Sequence, residues 1–341
     1  MSAFAFHNQD IGYAQSMNII ASILLLYLPE PLAFKILCSL CERILPDHYS
    51  KSLVGSVLEQ RVFEELLKIY FPKIWRKLCL VMEMELSLLT FPWFVCLFIN
   101  NFQIREACRI VDVFFLEGPV YLQWLALSIF QLNESEILTA KDEEQVMLVF
   151  KRFFDRFNSH TEPSSDETAD KDYYYSATEK SIVNLLNLAY EFSFITARKM
   201  EDLKSRYRLE VVQKLEMANK KMTVRNLQDV SSFSTRELNA VYEDYRMLNF
   251  TSTDNTLKYN VFHELCCKYL PWPLTGQITK RFFHLLVTKG SGKVGLLDYI
   301  EFADILCHQS ITERLVLLFN IHDDDNDGYL CDSELLLLKQ R

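Results

Sequence analysis

Twelve residues near the C-terminal end have the types and spacing to hold a hard cation. In Asp323-Asp324-Asp325-Asn326-Asp327-Gly328-Tyr329-Leu330-Cys331-Asp332-Ser333-Glu334, carboxylates stand at positions 1, 3, 5 and 12. Gly328 at position 6 permits a sharp turn. Tyr329 at position 7 offers its backbone carbonyl, and Glu334 at position 12 can give two oxygens at once. Calcium takes oxygen ligands, and these carboxylates supply both the oxygens and the charge. Cys331 at position 9 is a soft sulfur, so a water is expected to fill that place. The expected metal ligands are therefore Asp323, Asp325, Asp327, Tyr329 and Glu334, and the expected cofactor is calcium.

The flanks fit an EF-hand, a loop held between two helices. Ser310-Ile311-Thr312-Glu313 reads as a capping box for an incoming helix carrying Leu315, Leu318 and Phe319. Glu334 to Leu338 begins an exit helix. Such loops come in pairs through position 8, here Leu330. The expected sister runs from Gly290 to Glu301, with Leu297 at position 8 and Glu301 at position 12. Its positions 1, 3 and 5 are Gly290, Gly292 and Val294, so it is expected to bind no calcium and to serve as a structural partner. A dissociation constant of about 10⁻⁷–10⁻⁵ M would suit the competent loop as a sensor.

Cys38 and Cys41 form a CxxC inside an apolar helical segment with no second pair and no nearby His. Structural zinc needs four ligands, so buried packing is the reading. Nine cysteines without framework spacing imply a reducing compartment with mostly core thiols.

The elements that position these groups are helical. The chain has 341 residues, half of them hydrophobic, but only 8 Gly and 9 Pro. Strands need turns, and turns draw on Gly, Pro and Asn, so an all-α protein is expected. Apolar helical segments follow one another through residues 1–155, several apolar all round and so internal to a large bundle. The run from Leu86 to Asn100 is shorter than the ~20 residues a membrane span requires. A net charge of −9 argues against nucleic acid as a partner. Residues 156–172 are polar and acidic and read as a disordered linker. Residues 173–230 read as bracing helices and 231–341 as the EF-hand-like region. Within the latter, Ser234-Thr235-Arg236-Glu237 is a capping box stapled by Phe233 and Leu238.

Near the N-terminal end, Ile11-Gly12-Tyr13-Ala14-Gln15-Ser16-Met17-Asn18 resembles the YxQ motif of TBC domains, the Rab GTPase-activating fold. Ala5-Phe6-His7-Asn8 before it, Asp112 to Gly118 and Leu125 to Ile129 also resemble that family. Cys41 to Asp47 with Phe63 to Leu66 resembles the subgroup that carries GRAM domains before the TBC domain and an EF-hand after it. The resemblance implies a GTPase-activating protein whose partner is a Rab-family GTPase in its GTP form. Gln15 would be the glutamine finger supplied in trans, with Tyr13 supporting the motif. A neutral amide donates and accepts at once, which suits holding a water against a phosphate. It also implies a cytoplasmic location, peripheral on endomembranes, in vesicle trafficking.

Two departures bear on activity. Ser16 stands where the family usually has Gly, a small-for-small exchange. The family's arginine finger lies in an IxxDxxR motif upstream of YxQ, and Arg43 and Arg61 fall after Gln15. Such an arginine is worth about 10³–10⁵ in rate, so this chain alone is expected to be a poor activator. On the same resemblance it begins within the domain and is a piece of a longer protein. The alternative is a non-catalytic, calcium-binding Rab-interaction or scaffold protein.

Overall fold

The computed structural model describes residues 1–158, 182–249, 256–270, 276–289, 294–323 and 327–332. Among them every regular element is a helix, as composition implies. The chain divides into two compact units, Met1–Leu215 and Glu216–Arg341, each with its own apolar core.

The first unit holds α1 (Ser2–His7), α2 (Met17–Tyr27), α3 (Glu30–Ser39), α4 (Val54–Tyr70), α5 (Pro72–Trp75) and α6 (Leu86–Val95). Then come α7 (Ile104–Glu117), α8 (Val120–Leu132), α9 (Glu134–Thr139), α10 (Glu143–Asn158), α11 (182–190) and the first part of α12 (Ala197–Asp229). Pro29 precedes α3 and Pro31 sits in its first turn, where a missing N–H costs nothing. The α8 helix is buried from Val120 to Phe130, because its sequence offers no polar face to water. Trp93 is the hinge of an aromatic cluster with Phe98, Phe130, Phe150 and Phe154, at ring separations of 5.4–6.0 Å.

The apolar run expected as one helix from 86 to 100 ends at Val95. Leu97 and Phe98 adopt left-handed backbone, with φ of 51° and 63°, and both are buried. Core packing therefore outweighs the steric cost of that conformation for two large side chains. Among the described residues no helix is long and apolar enough to cross a membrane.

The second unit holds the end of α12, α13 (Thr235–Leu248), α14 (Tyr259–Tyr269), α15 (Gly276–Lys289), α16 (Leu296–His308) and α17 (Ile311–His322). Both expected capping boxes are present. Ser234 accepts from the Glu237 backbone and Ser310 from that of Glu313, and each Glu returns a bond to the cap. Phe262, Phe282, Phe302 and Tyr299 centre the core. The expected linker at 156–172 lies outside the described residues beyond Asn158.

Candidate functional site

The Gln15 loop runs from the end of α1 to the start of α2, and its backbone is tied at both ends. The Asn8 carbonyl accepts from Gly12 N at 2.8 Å, and Asn8 Oδ1 accepts from Ile11 N at 3.0 Å. Asn8 Nδ2 donates to Glu42 Oε1 at 2.9 Å, fixing the turn to the segment after α3. Gly12 has φ +65°, and a Cβ there would meet nothing within 4 Å. The glycine is needed for its backbone, not for space. Tyr13 is 57% exposed and donates to Asn18 Oδ1 at 3.3 Å, so the motif's tyrosine braces the first turn of α2. Ala14 is buried and Gln15 is exposed.

Ser16 closes the loop as the N-cap of α2, with φ +86°. It is 5% exposed, and its carbonyl accepts from Ile19 N at 3.0 Å. Burial pushes the Cys96 thiol up, and the nearby Ser16 hydroxyl opposes that shift. The serine thus stands in backbone that favours glycine, so the exchange at this position is not the neutral one that size alone suggests. The result is a glutamine held outward by two left-handed residues, at the positive end of an 11-residue helix. A polar amide presented there can meet an anionic phosphate and its attacking water.

The two arginines weighed against the finger role, Arg61 and Arg43, are placed elsewhere among the described residues. Arg61 is consumed by Glu64, Glu65 and Glu210, at 3.8, 3.8 and 3.5 Å, and its guanidinium lies 4.1 Å from the centre of the Tyr207 ring. Arg43 lines a separate cavity of about 480 Å³ with Asp47, His48, Glu59, Lys204 and Arg208. Two of that cavity's cations are paired within it. Lys204 Nζ meets the buried Glu59 at 2.6 Å, and Arg208 meets Asp47 at 2.7 Å. Sequence reading did not find this cluster, because its members come from three distant segments.

In the second unit Asp323 ends α17 and is 6% exposed. Its Oδ1 accepts from Asp327 N at 3.1 Å and its Oδ2 from Gly328 N at 3.0 Å. Asp327 Oδ1 accepts from Tyr329 N at 2.7 Å. Gly328 has φ +83°, the left-handed turn expected at position 6. The first carboxylate therefore takes the backbone N–H groups of Asp327 and Gly328, and Asp323, Asp327 and Tyr329 are brought together. Asp325 and Glu334 lie outside the described residues, as does the exit helix. Among the described residues no three His, Cys, Asp or Glu side chains converge as a metal site. Cys41 of the CxxC is buried and Cys38 half-buried, both as free thiols.

The upstream loop departs from its expected register. Val294 is 1% exposed and its carbonyl accepts from Leu257 N at 2.7 Å, whereas Leu297 is 45% exposed. The inter-loop bond thus uses Val294 in place of Leu297, three residues earlier, and joins the connection before α14. The reason is local. Asp298 Oδ2 accepts from Gly295 N at 2.7 Å and starts α16 at Leu296, which carries Leu297 into the helix.

Comparison with known proteins agrees on the first unit. Residues 1–138 match the family model of the Rab-GTPase-TBC domain. GTPase-activating protein gyp2 of Schizosaccharomyces pombe is 30% identical over 365 aligned residues, covering 98% of this chain and 49% of its own length. TBC1 domain family member 2B of Mus musculus is 36% identical over 157 residues, 45% of this chain and 16% of its own. A protein of Emericella nidulans is 33% identical over 247 residues, 72% of this chain and 21% of its own. The chain thus spans about half or less of the curated relatives it matches. The solved TBC domain of a Chlamydomonas flagellar RabGAP aligns with a TM-score of 0.43 at 24% identity, covering 56% of each chain.

Proposed function

From the match of residues 1–138 to the Rab-GTPase-TBC domain model we propose that the chain is part of a GTPase-activating protein for Rab-family GTPases. The GTP-bound partner receives Gln15 in its nucleotide site, where the amide orients the attacking water. One observation supports this most: the glutamine of the YxQ motif is exposed on a loop whose neighbours are pinned, between Gly12 and Ser16 in left-handed backbone. Preorganisation of this kind lowers the barrier because the amide need not be ordered during the reaction. The arginine that stabilises the leaving oxygens belongs to an IxxDxxR segment, which is not among these 341 residues.

The same reading places the chain with the GRAM, TBC and EF-hand subgroup, acting on vesicle traffic at the cytoplasmic side of endomembranes. Asp323, Asp325, Asp327, the Tyr329 carbonyl and Glu334 would hold one calcium ion, which supplies charge to order the loop. The turn that Asp323 makes with Asp327 and Gly328 supports that assignment.

The test is single-turnover hydrolysis of Rab-bound GTP by residues 1–341 with an IxxDxxR segment joined ahead of them. Gln15→Ala is expected to lower the stimulated rate by about 10²-fold or more, the scale of one lost transition-state contact. Stimulation that survives Gln15→Ala unchanged would remove the finger role. The second reading is a calcium-binding protein that holds Rab proteins without activating them. Multiple-turnover stimulation by the 341-residue chain alone would refute it.

A further inference from the structure

The α14 helix carries a second set of chemically competent side chains, remote in sequence from Gln15 and from the calcium loop. His263 and Cys267 are four residues apart and so share one helix face. Cys267 Sγ lies 3.7 Å from His263 Nε2. The other ring nitrogen, Nδ1, lies 2.9 Å from Thr279 Oγ1 on α15, and Thr279 is fully buried. Tyr259 stacks on the imidazole at 5.9 Å and meets the same threonine oxygen at 3.1 Å. A nucleophile, a base and a group that orients the base therefore stand in line, on two helices packed against each other.

We propose that Cys267 and His263 form a thiol–imidazole pair that makes Cys267 a site of thiol–disulfide exchange with small disulfides. In the tautomer with hydrogen on Nδ1, the ring donates to Thr279 Oγ1, and Nε2 is left to accept from the thiol. The sulfhydryl proton passes to Nε2 as Cys267 sulfur attacks one sulfur of the disulfide. A new S–S bond forms and the old one breaks. The departing sulfur keeps that electron pair and takes the proton back from His263, leaving a mixed disulfide and one free thiol. The co-reactant is the disulfide itself, so no other oxidant is needed.

Access separates Cys267 from most other thiols in the chain. Cys267 and Cys331 are exposed, whereas Cys41, Cys96, Cys108 and Cys266 are buried. Burial pushes the neighbouring Cys266 thiol up, away from reactivity. Metal binding is a poorer use of the pair. Among the described residues no third His, Cys, Asp or Glu converges on it, and two ligands do not make a structural zinc site.

The experiment treats the reduced 341-residue chain with glutathione disulfide at neutral pH, and follows each cysteine by intact mass and peptide mapping. Cys267 is expected to acquire glutathione about tenfold faster than Cys331, the size of effect a paired imidazole exerts on a thiol. His263→Gln is expected to slow Cys267 about tenfold and to leave Cys331 alone. Equal rates at Cys267 and Cys331 in the unaltered protein would overturn the proposal without any variant. An unchanged Cys267 rate in a His263→Gln protein of normal helicity would overturn it as well.

Discussion

His48 is 1% exposed and its Nε2 lies 3.1 Å from the Phe94 carbonyl. Burial, the largest influence, lowers its pKa from 6.5 to about 4, against the opposing pull of Glu59 and the Phe94 bond. The neutral ring then donates to Phe94. The folded state resists a proton that the unfolded chain accepts near its ordinary value. This contribution is therefore complete above about pH 6.5, falls as the pH drops, and is gone near pH 4. By linkage it amounts to about 3 kcal/mol in total and about 2 kcal/mol by pH 5. Urea unfolding at about pH 7 and pH 5, compared between the protein and His48→Gln, isolates it. The stability difference between the two proteins is expected to shrink by about 2 kcal/mol at the lower pH, and a pH-independent difference would contradict the assignment. Nothing in the sequence marks His48 as buried, whereas the exposed Gln15 and Tyr13 stand in a motif that the sequence displays. Ser16 was legible in type but not in consequence. Only the backbone angle of +86° shows why a residue without a side chain would suit that place better.

Among the elements, α11 and the first part of α12 complete the first unit, although the family match ends at residue 138. Trp124 Nε1 donates to the Ile195 carbonyl at 2.9 Å, and Tyr190 donates to Glu117 at 3.0 Å. Glu59, 2% exposed on α4, takes Lys204 at 2.6 Å and the amide of Gln123 at 2.9 Å. Without α12 this carboxylate would stay buried with no cation. Lys204→Met is accordingly expected to cost about 3 kcal/mol, and the pair Glu59→Gln with Lys204→Met to recover most of it. Chemical denaturation of both proteins decides this, and equal losses in single and double variants would deny the coupling. The apolar positions of α12 were readable, and Leu203 and Val211 are indeed buried. Its basic residues read as a solvated face, because sequence cannot show that Glu59 and Asp47 wait for them. The capped starts of α13 and α17 were fully readable, since a Ser and a Glu three residues apart satisfy each other locally. The π-helical turns at Leu40–Ile44 and Arg76–Val81 carry no such local signal.

At the scale of the molecule, two cores mean that a ligand of one unit acts first on that unit's stability. The acidic loop proposed to hold calcium belongs to the second, where Ile321 is buried just before Asp323. The upstream pairing between Val294 and Leu257 was not legible, because the connection before α14 lacks the carboxylate spacing that advertises a calcium loop. Calcium that binds only the folded loop would stabilise it by RT ln(1 + [Ca]/Kd), about 2.7 kcal/mol at a hundredfold excess over Kd. Amide exchange over residues 311–332 is expected to slow when calcium is added and to recover with a chelator. Magnesium should do much less, since it asks for a tighter octahedral shell than an EF-hand type of ligand set provides. If Glu334 is the bidentate ligand proposed, Glu334→Gln should abolish the calcium heat in calorimetry, while the Asp323 turn, made by backbone N–H groups alone, persists. No heat between micromolar and millimolar calcium, or an identical titration for Glu334→Gln, would show that the acidic loop folds around Asp323 for its own sake and holds no ion.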